Sequence, residues 1–268
     1  MSIKKFNLDN VDLESGFSLH LQSPHAGGKT HFQGDALRYE SQFGDVCYLT
    51  FPGEDGWRTI SNMGLGSSGV LVETYNDLKE FMKELEGRKE PLRALAIDSM
   101  PWLSHLVMIG TLGEDRLPRI GREDNEWTEV HRAFTNTIQR LRRLGKFVIA
   151  GSYVDVETID PFTGEKKLLL WRAAVPGKQA DRIVGMFDFG FTIEATDLGS
   201  SGVERLLKVR PSRKYAIRQR LPHPGITEDI KLPHGLGGWE SLRKAIAKVY
   251  EATQAKHQIP LPLNETIG

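Results

Sequence analysis

Ser23-Pro24-His25-Ala26-Gly27-Gly28-Lys29-Thr30 follows the phosphate-cradling pattern G-x-x-x-x-G-K-[ST] at every position but the first. The residue types suit that chemistry. Glycines let backbone N–H groups close around phosphate oxygens, Lys29 offers an ammonium to the β and γ phosphates, and the Thr30 hydroxyl can ligate Mg²⁺. A Gly-Lys-Ser/Thr triplet alone is a weak signal, so its flanks decide. Before it, Phe17, Leu19 and Leu21 alternate with small or polar residues over Gly16 to Gln22, as in a strand. After it, Thr30 to Tyr39 has no proline and predicts a helix whose positive end faces the same anion. Strand, glycine loop and helix together make Ser23, Pro24, His25, Ala26, Gly27, Gly28, Lys29, Thr30 and His31 the expected nucleotide-binding residues, with Lys29 on an exposed loop. Ser23 in place of the first glycine bears on how tightly the opening turn can close.

The chain has 268 residues, 39% hydrophobic and 26% charged, which supports a full core in one globular domain. No apolar run reaches membrane-spanning length and the start lacks a signal peptide's apolar segment, so neither a membrane nor secretion is expected. Cys47 is the only cysteine; with no partner for a disulfide it reads as a buried strand residue in a reducing cytoplasm. The net charge is zero, which excludes a globally basic nucleic-acid binder. Between Ser201 and Arg220, however, Arg205, Lys208, Arg210, Arg213, Lys214, Arg218 and Arg220 face the single acid Glu204. Such a run is either a solvated face or part of the phosphate chemistry.

Taken in order, Asp45 to Phe51 predicts a second buried strand, broken by Pro52-Gly53 and followed by Glu54. A carboxylate just past a strand's carboxyl end sits where ligands bind in open α/β sheets, so Glu54 is either the residue that orients the attacking water or a solvated turn carboxylate. Glu73 to Glu86 has helical apolar spacing. Leu92 to Ser99 is a short apolar strand ending in Asp98, the expected holder of Mg²⁺ or its water, together with Thr30. Gly110 to Asn125 reads as a long loop carrying Arg116, Arg119 and Arg122. Trp127 to Leu144 is an amphipathic helix capped by Gly145, and Lys146 to Ser152 another buried strand. Two strand-like runs, Val154 to Ile159 and Lys167 to Arg172, flank a turn at Asp160 to Gly164 that projects Lys166 and Lys167. A short helix at Gln179 to Met186, a strand at Phe187 to Ala195, a strand pair at Glu204 to Val209 and Lys214 to Arg220, and a helix at Trp239 to Lys256 complete the order. No repeat, Cys/His metal spacing or Ser/His/Asp signature is present, and the eight histidines read as structural.

These features, over roughly residues 16 to 245, resemble the RecA-like ATPases, and more closely the phage-encoded RecA/RadA-like proteins of single-strand annealing and recombination. The resemblance lies in the Pro24 to Thr30 loop, Ile97-Asp98-Ser99, the loop before Trp127, the strand 146 to 152 and Tyr215-Ala216-Ile217-Arg218-Gln219-Arg220. It implies that Arg218-x-Arg220 is a finger reaching a neighbouring subunit's ATP site. It also implies that loops 110 to 126 and 153 to 172 line single-stranded DNA, with Arg116, Arg119, Arg122, Lys166 and Lys167 as contacts. Two departures stand out. Pro52-Gly53 intervenes before the family's catalytic Glu position, and Ser152-Tyr153 stands where relatives carry Gln or His, leaving the γ-phosphate sensor unassigned.

The expected fold is α/β, a RecA-like P-loop NTPase core with a mostly parallel central sheet flanked by helices and an antiparallel extension from residues 154 to 220. Residues 1–15 form a lead-in, 16–257 the ATPase domain and 258–268 a loose tail. The expected function is an ATP- and Mg²⁺-dependent recombinase or annealing protein on single-stranded DNA, with Lys29, Glu54, Arg218 and Arg220 as catalytic residues. Expected partners are DNA, other copies of the chain in a filament or ring, and a single-strand-binding protein as a candidate. The alternatives are a loader or motor accessory acting on a helicase or packaging protein and, with less support, a small-molecule phosphotransferase. For a phage-encoded chain the compartment would be the host cytoplasm.

Overall fold

Near-continuous apolar strands separated by helices place helices on both faces of a parallel sheet. The computed structural model describes residues 16–119, 125–155, 158–159, 166–167, 172–175, 179–199, 202–212 and 215–257. The expected lead-in and tail lie outside them. In chain order the elements are β1 Phe17–Ser23, α1 Lys29–Glu40, β2 Val46–Thr50, α2 Gly56–Ile60 with a π turn Ser61–Leu65 and a 3-10 turn Gly66–Ser68, β3 Gly69–Leu71, α3 Tyr75–Glu86, β4 Leu92–Asp98 and α4 Met100–Leu112. There follow α5 Glu126–Leu144, β5 Gly145–Asp155, β6 Thr158–Ile159, β7 Lys166–Lys167, β8 Arg172–Ala173, α6 Gln179–Arg182 with a 3-10 turn Ile183–Met186, β9 Phe189–Asp197, β10 Val203–Lys208, β11 Arg218–Gln219, β12 Ile230–Leu232 and α7 Gly238–His257.

The main sheet runs β12-β10-β9-β1-β5-β4-β2-β3, parallel from β9 to β3 and antiparallel beyond β9. This is the expected α/β class with a mostly parallel centre and an antiparallel extension. Register fixes the working edge: Ser23 lies opposite Tyr153, and Asp98 lies opposite both Gly151 and Thr50. Loop, metal-type carboxylate and the end of β5 therefore meet at one edge, where ligands bind in such sheets.

Helices α3, α4 and α5 cover one face, with Leu78, Leu103, Val107, Phe134 and Ile138 buried over Leu95, Ile97 and Val148. On the other, Phe32 and Leu37 of α1 and Trp239, Leu242 and Ile246 of α7 cover Leu19, Leu21, Phe147 and Phe191. Glu40, fully buried, ties this layer together by accepting from Trp239 Nε1 at 2.8 Å, Arg243 Nη1 at 2.7 Å and Arg93 Nε at 2.7 Å. Three donors offset the cost of burying that carboxylate.

The structure departs from the sequence reading in four places. Helix α4 occupies Met100–Leu112, so the loop before α5 begins at Gly113, which caps α4 with a φ of 76°. Gly145 is extended, with φ −133°, and opens β5 at once. The antiparallel extension of the main sheet comes from β10, β11 and β12; β8 pairs with the end of β5, and β6 and β7 pair only with each other. Strand β12 and not 214–220 is the outer partner of β10, while Arg218–Gln219 adds to β9. Among the described residues no helix is long and apolar enough to cross a membrane.

His20 sits fully buried on β1 with Nε2 2.7 Å from Ser152 Oγ, and burial pulls its pKa from 6.5 down to about 3. Unfolding lets it bind a proton throughout that interval, so its contribution is intact above pH 6.5 and is lost as pH falls towards 3. The slope of unfolding free energy against pH between those values is expected to drop by about 1.4 kcal/mol per pH unit in His20→Asn, read from urea melts at stepped pH. An unchanged slope would contradict a neutral buried imidazole.

Candidate nucleotide site

The loop closes on itself through Gly27 N–H donating to Pro24 O at 3.1 Å, and α1 starts immediately after Gly28, at Lys29. Gly28 holds a φ of 100° and Ala26 one of 58°, so consecutive amides turn inward as an anion-binding concavity. The departure at the first motif position has a local compensation. A Cβ on Gly27 would lie 2.8 Å from the Cβ of buried Ser23, so glycine at 27 makes the room that serine at 23 takes. All nine expected nucleotide-binding residues, Ser23 through His31, line one cavity of about 450 Å³, closed on its far side by Leu232, Pro233, His234 and Gly235. That far side is fixed by α1: Asp35 accepts from the amides of Gly237 and Trp239 at 2.9 and 2.8 Å, and His31 Nε2 lies 3.1 Å from Gly235 O.

Lys29 is not exposed. It retains 4% exposure, its Nζ donates to Asp98 Oδ1 at 2.6 Å and lies 4.3 Å from the centre of the Tyr153 ring. Its stem crosses Gly151 of β5, where any Cβ would come within 2.6 Å of Lys29 Cδ. Asp98, 1% exposed, also accepts from Thr30 Oγ1 and Tyr48 Oη, both at 2.8 Å on Oδ2. For Mg²⁺ the donor set is the test: two hard oxygens, Thr30 Oγ1 and Asp98 Oδ2, are 2.8 Å apart. That is about the spacing of neighbouring ligands around an ion binding oxygen at ~2.1 Å in an octahedron. Among the described residues no cluster of three or more His, Cys, Asp or Glu could hold a metal by itself.

Glu54 resolves against a solvated turn carboxylate. The Pro52-Gly53 break returns the chain to the sheet edge, leaving Glu54 7% exposed, with Ser99 Oγ donating to Oε1 and Tyr153 Oη donating to Oε2 at 2.7 Å. Tyr153 in turn stacks on His25 of the loop, ring centres 4.1 Å apart. Burial first, then the neighbouring carboxylates, push the Tyr48 and Tyr153 phenols above their usual range, so both remain hydroxyl donors. Tyr153 thus touches the phosphate loop, the lysine and the candidate water-orienting carboxylate at once. In the sequence it was marked by its place just past a buried strand and, through the resemblance, by standing with Ser152 where relatives carry Gln or His; Tyr48 was marked only as a residue of a buried strand.

The other expected residues lie apart. Arg218 pairs by backbone with Gly190, and Arg220 donates to Asp188 Oδ1 at 3.0 Å while half exposed. Both are at the amino end of β9, opposite the edge that carries their own loop. Arg116 grips Glu126 with two nitrogens at 2.7 and 2.8 Å, and the Arg119 amide donates to the same carboxylate at 2.6 Å. Arg116 therefore anchors the loop to the start of α5. Arg122 lies outside the described residues. Lys166 and Lys167 pair by backbone with Ile159 and Thr158, and the expected turn at Asp160 to Gly164 lies outside the described residues.

The sequence matches the AAA_24 family, an AAA domain, over residues 21–221. No curated protein matches it. Among solved structures it is similar to a KaiC-like protein of the hyperthermophilic archaeon Pyrococcus horikoshii, at 15% identity over 81% of this chain and 90% of that one, TM-score 0.45. It is also similar to an ATPase of the type III secretion system of pathogenic bacteria (16%, 67% and 51%, 0.41) and to the flagellar accessory protein FlaH of Methanocaldococcus jannaschii (11%, 76% and 89%, 0.41). With the family match spanning residues 21–221, most of its length, the chain belongs to the AAA_24 family of AAA domains.

Proposed function

We propose that the chain is an ATP-dependent, single-stranded-DNA-binding recombinase or annealing protein that acts as an oligomer, with residues 16–257 as its ATPase domain. The loop amides and Lys29 bind the β and γ phosphates, Lys29 exchanging its contact with Asp98 for phosphate oxygens. Thr30 and Asp98 would hold Mg²⁺ together with the phosphates, and the bound ion would supply positive charge to their oxygens. Glu54, fixed by two hydroxyls, orients the attacking water and accepts its proton. Arg218 or Arg220 of a neighbouring copy adds charge in trans, which their place at the far edge of the sheet favours over reach to their own loop. Arg116, Arg119, Arg122, Lys166 and Lys167 are the residues assigned to DNA binding, Arg116 by holding its loop in shape.

The observation that carries this reading is the bond from Tyr153 to Glu54. Tyr153 lies two residues before the end of β5, and the segment that follows is the one assigned to DNA, so a strand bound there can pull on the carboxylate that orients water. ATP turnover measured with and without single-stranded DNA tests it. The wild type is expected to be stimulated several-fold, and Tyr153→Phe to lose roughly tenfold of the DNA-stimulated rate, the effect of one buried hydrogen bond to a charged group. Stimulation of Tyr153→Phe equal to wild type would break the coupling; stimulation by a helicase or packaging protein and not by DNA would favour the loader.

A further inference from the structure

Arg205, on β10, lies between Ala195 of β9 and Leu232 of β12. Alternation puts it on the same face as Leu207, which is fully buried in the layer shared with α1 and α7. Its side chain runs along that face to the phosphate loop: a Cβ placed on Gly28 would lie 2.9 Å from Arg205 Nε and 3.0 Å from its Cδ. Arg205 lines the same cavity as the loop, and its Nε is buried without a hydrogen-bond partner. The acids around it are engaged elsewhere. Lys231 holds Glu204 at 2.6 Å, and Lys208 holds Asp229 at 2.9 Å and Glu194 at 3.4 Å.

A buried guanidinium nitrogen without an acceptor is costly, and here it stands beside inward-turned loop amides that also call for an anion. Guanidinium geometry suits a phosphate. The direction of approach says which phosphate. In the sheet order, Asp98, Tyr153 and the turn bearing Glu54 belong to strands on one side of β1, whereas Arg205 comes from β10 on the other. The phosphoryl group that meets water faces Glu54, so Arg205 meets phosphates that ATP and ADP have in common. We infer that Arg205 is a ligand to the α/β-phosphate end of the nucleotide bound by its own chain, an assignment that rests on the phosphate-loop reading of the site.

The test is calorimetric titration of wild type, Arg205→Ala and Arg205→Lys with Mg-ADP and with a non-hydrolysable Mg-ATP analogue, beside thermal unfolding without nucleotide. Arg205→Ala is expected to raise both dissociation constants by the same factor, roughly 10- to 100-fold for a lost charge-assisted contact, with Arg205→Lys between. Arg205→Lys keeps the packed stem, so its nucleotide-free unfolding midpoint should stay at the wild-type value. Wild-type affinity in Arg205→Ala, or a loss confined to the ATP analogue, overturns the assignment. So does a lowered nucleotide-free midpoint with wild-type affinities, which would make Arg205 a structural prop. A wild type that binds neither nucleotide removes the phosphate-loop reading itself and the Arg205 assignment with it.

Discussion

Lys29→Ala is expected to lose nucleotide binding and, separately, to lose stability. The sequence places this lysine on an exposed loop, where truncation would leave the fold alone. In the structure its ammonium is buried against Asp98, and removing one partner of a buried ion pair leaves an uncompensated charge at a cost of about 3–5 kcal/mol. Thr30 and Tyr48 still donate to Asp98, so the lower end of that range applies, and each kcal/mol lowers the melting midpoint by about 2–4 °C in a chain of this size. The double variant Lys29→Ala/Asp98→Asn removes the stranded charge as well. It should regain most of the lost midpoint in a thermal melt while still failing to bind ATP by titration. A Lys29→Ala protein that melts like wild type would show that the pair contributes nothing to the fold; one that binds ATP like wild type would remove the phosphate role.

How much of this was legible in the sequence depends on the range over which each signal acts. The phosphate loop and Asp98 are read from contiguous residues, and their meeting follows from strand order, so they were found. Glu54 was left open because Pro52-Gly53 separates it from its strand; the donors that fix it, Ser99 and Tyr153, are 45 and 99 residues away. Arg205 could be read as one member of a basic run, yet alternation gives a strand's face and not the loop that face meets. Helix α4 was missed for a different reason: Met100–Leu112 is apolar nearly all round, so no 3.6-residue stripe stands out. Strand β12, three residues before a glycine-rich turn, is too short for a period to register. Cys47 was legible from its apolar surroundings alone, and burial pushes its thiol up to about 12, out of reach of ordinary redox chemistry.

Glu54→Gln is expected to lower ATP turnover by about two to four orders of magnitude, the range over which a positioned general base contributes, while ATP binding stays near wild type. The glutamine keeps the size of the side chain but replaces one accepting oxygen by an NH₂ group. Either Ser99 or Tyr153 then faces a donor and must turn its hydroxyl away, at a cost of about 1 kcal/mol of local stability. That small cost separates the chemical from the structural effect. A prop would show mainly as a lowered melting midpoint with turnover falling in proportion to the folded fraction, whereas a base shows as lost turnover in a folded protein that still holds ATP. Glu54→Asp sharpens the distinction, because the carboxylate survives but is one methylene too short to meet both hydroxyls and should recover only part of the rate. Turnover within threefold of wild type in folded Glu54→Gln would sink the assignment. Another group would then have to orient the water, since Asp98 already accepts from Lys29, Thr30 and Tyr48.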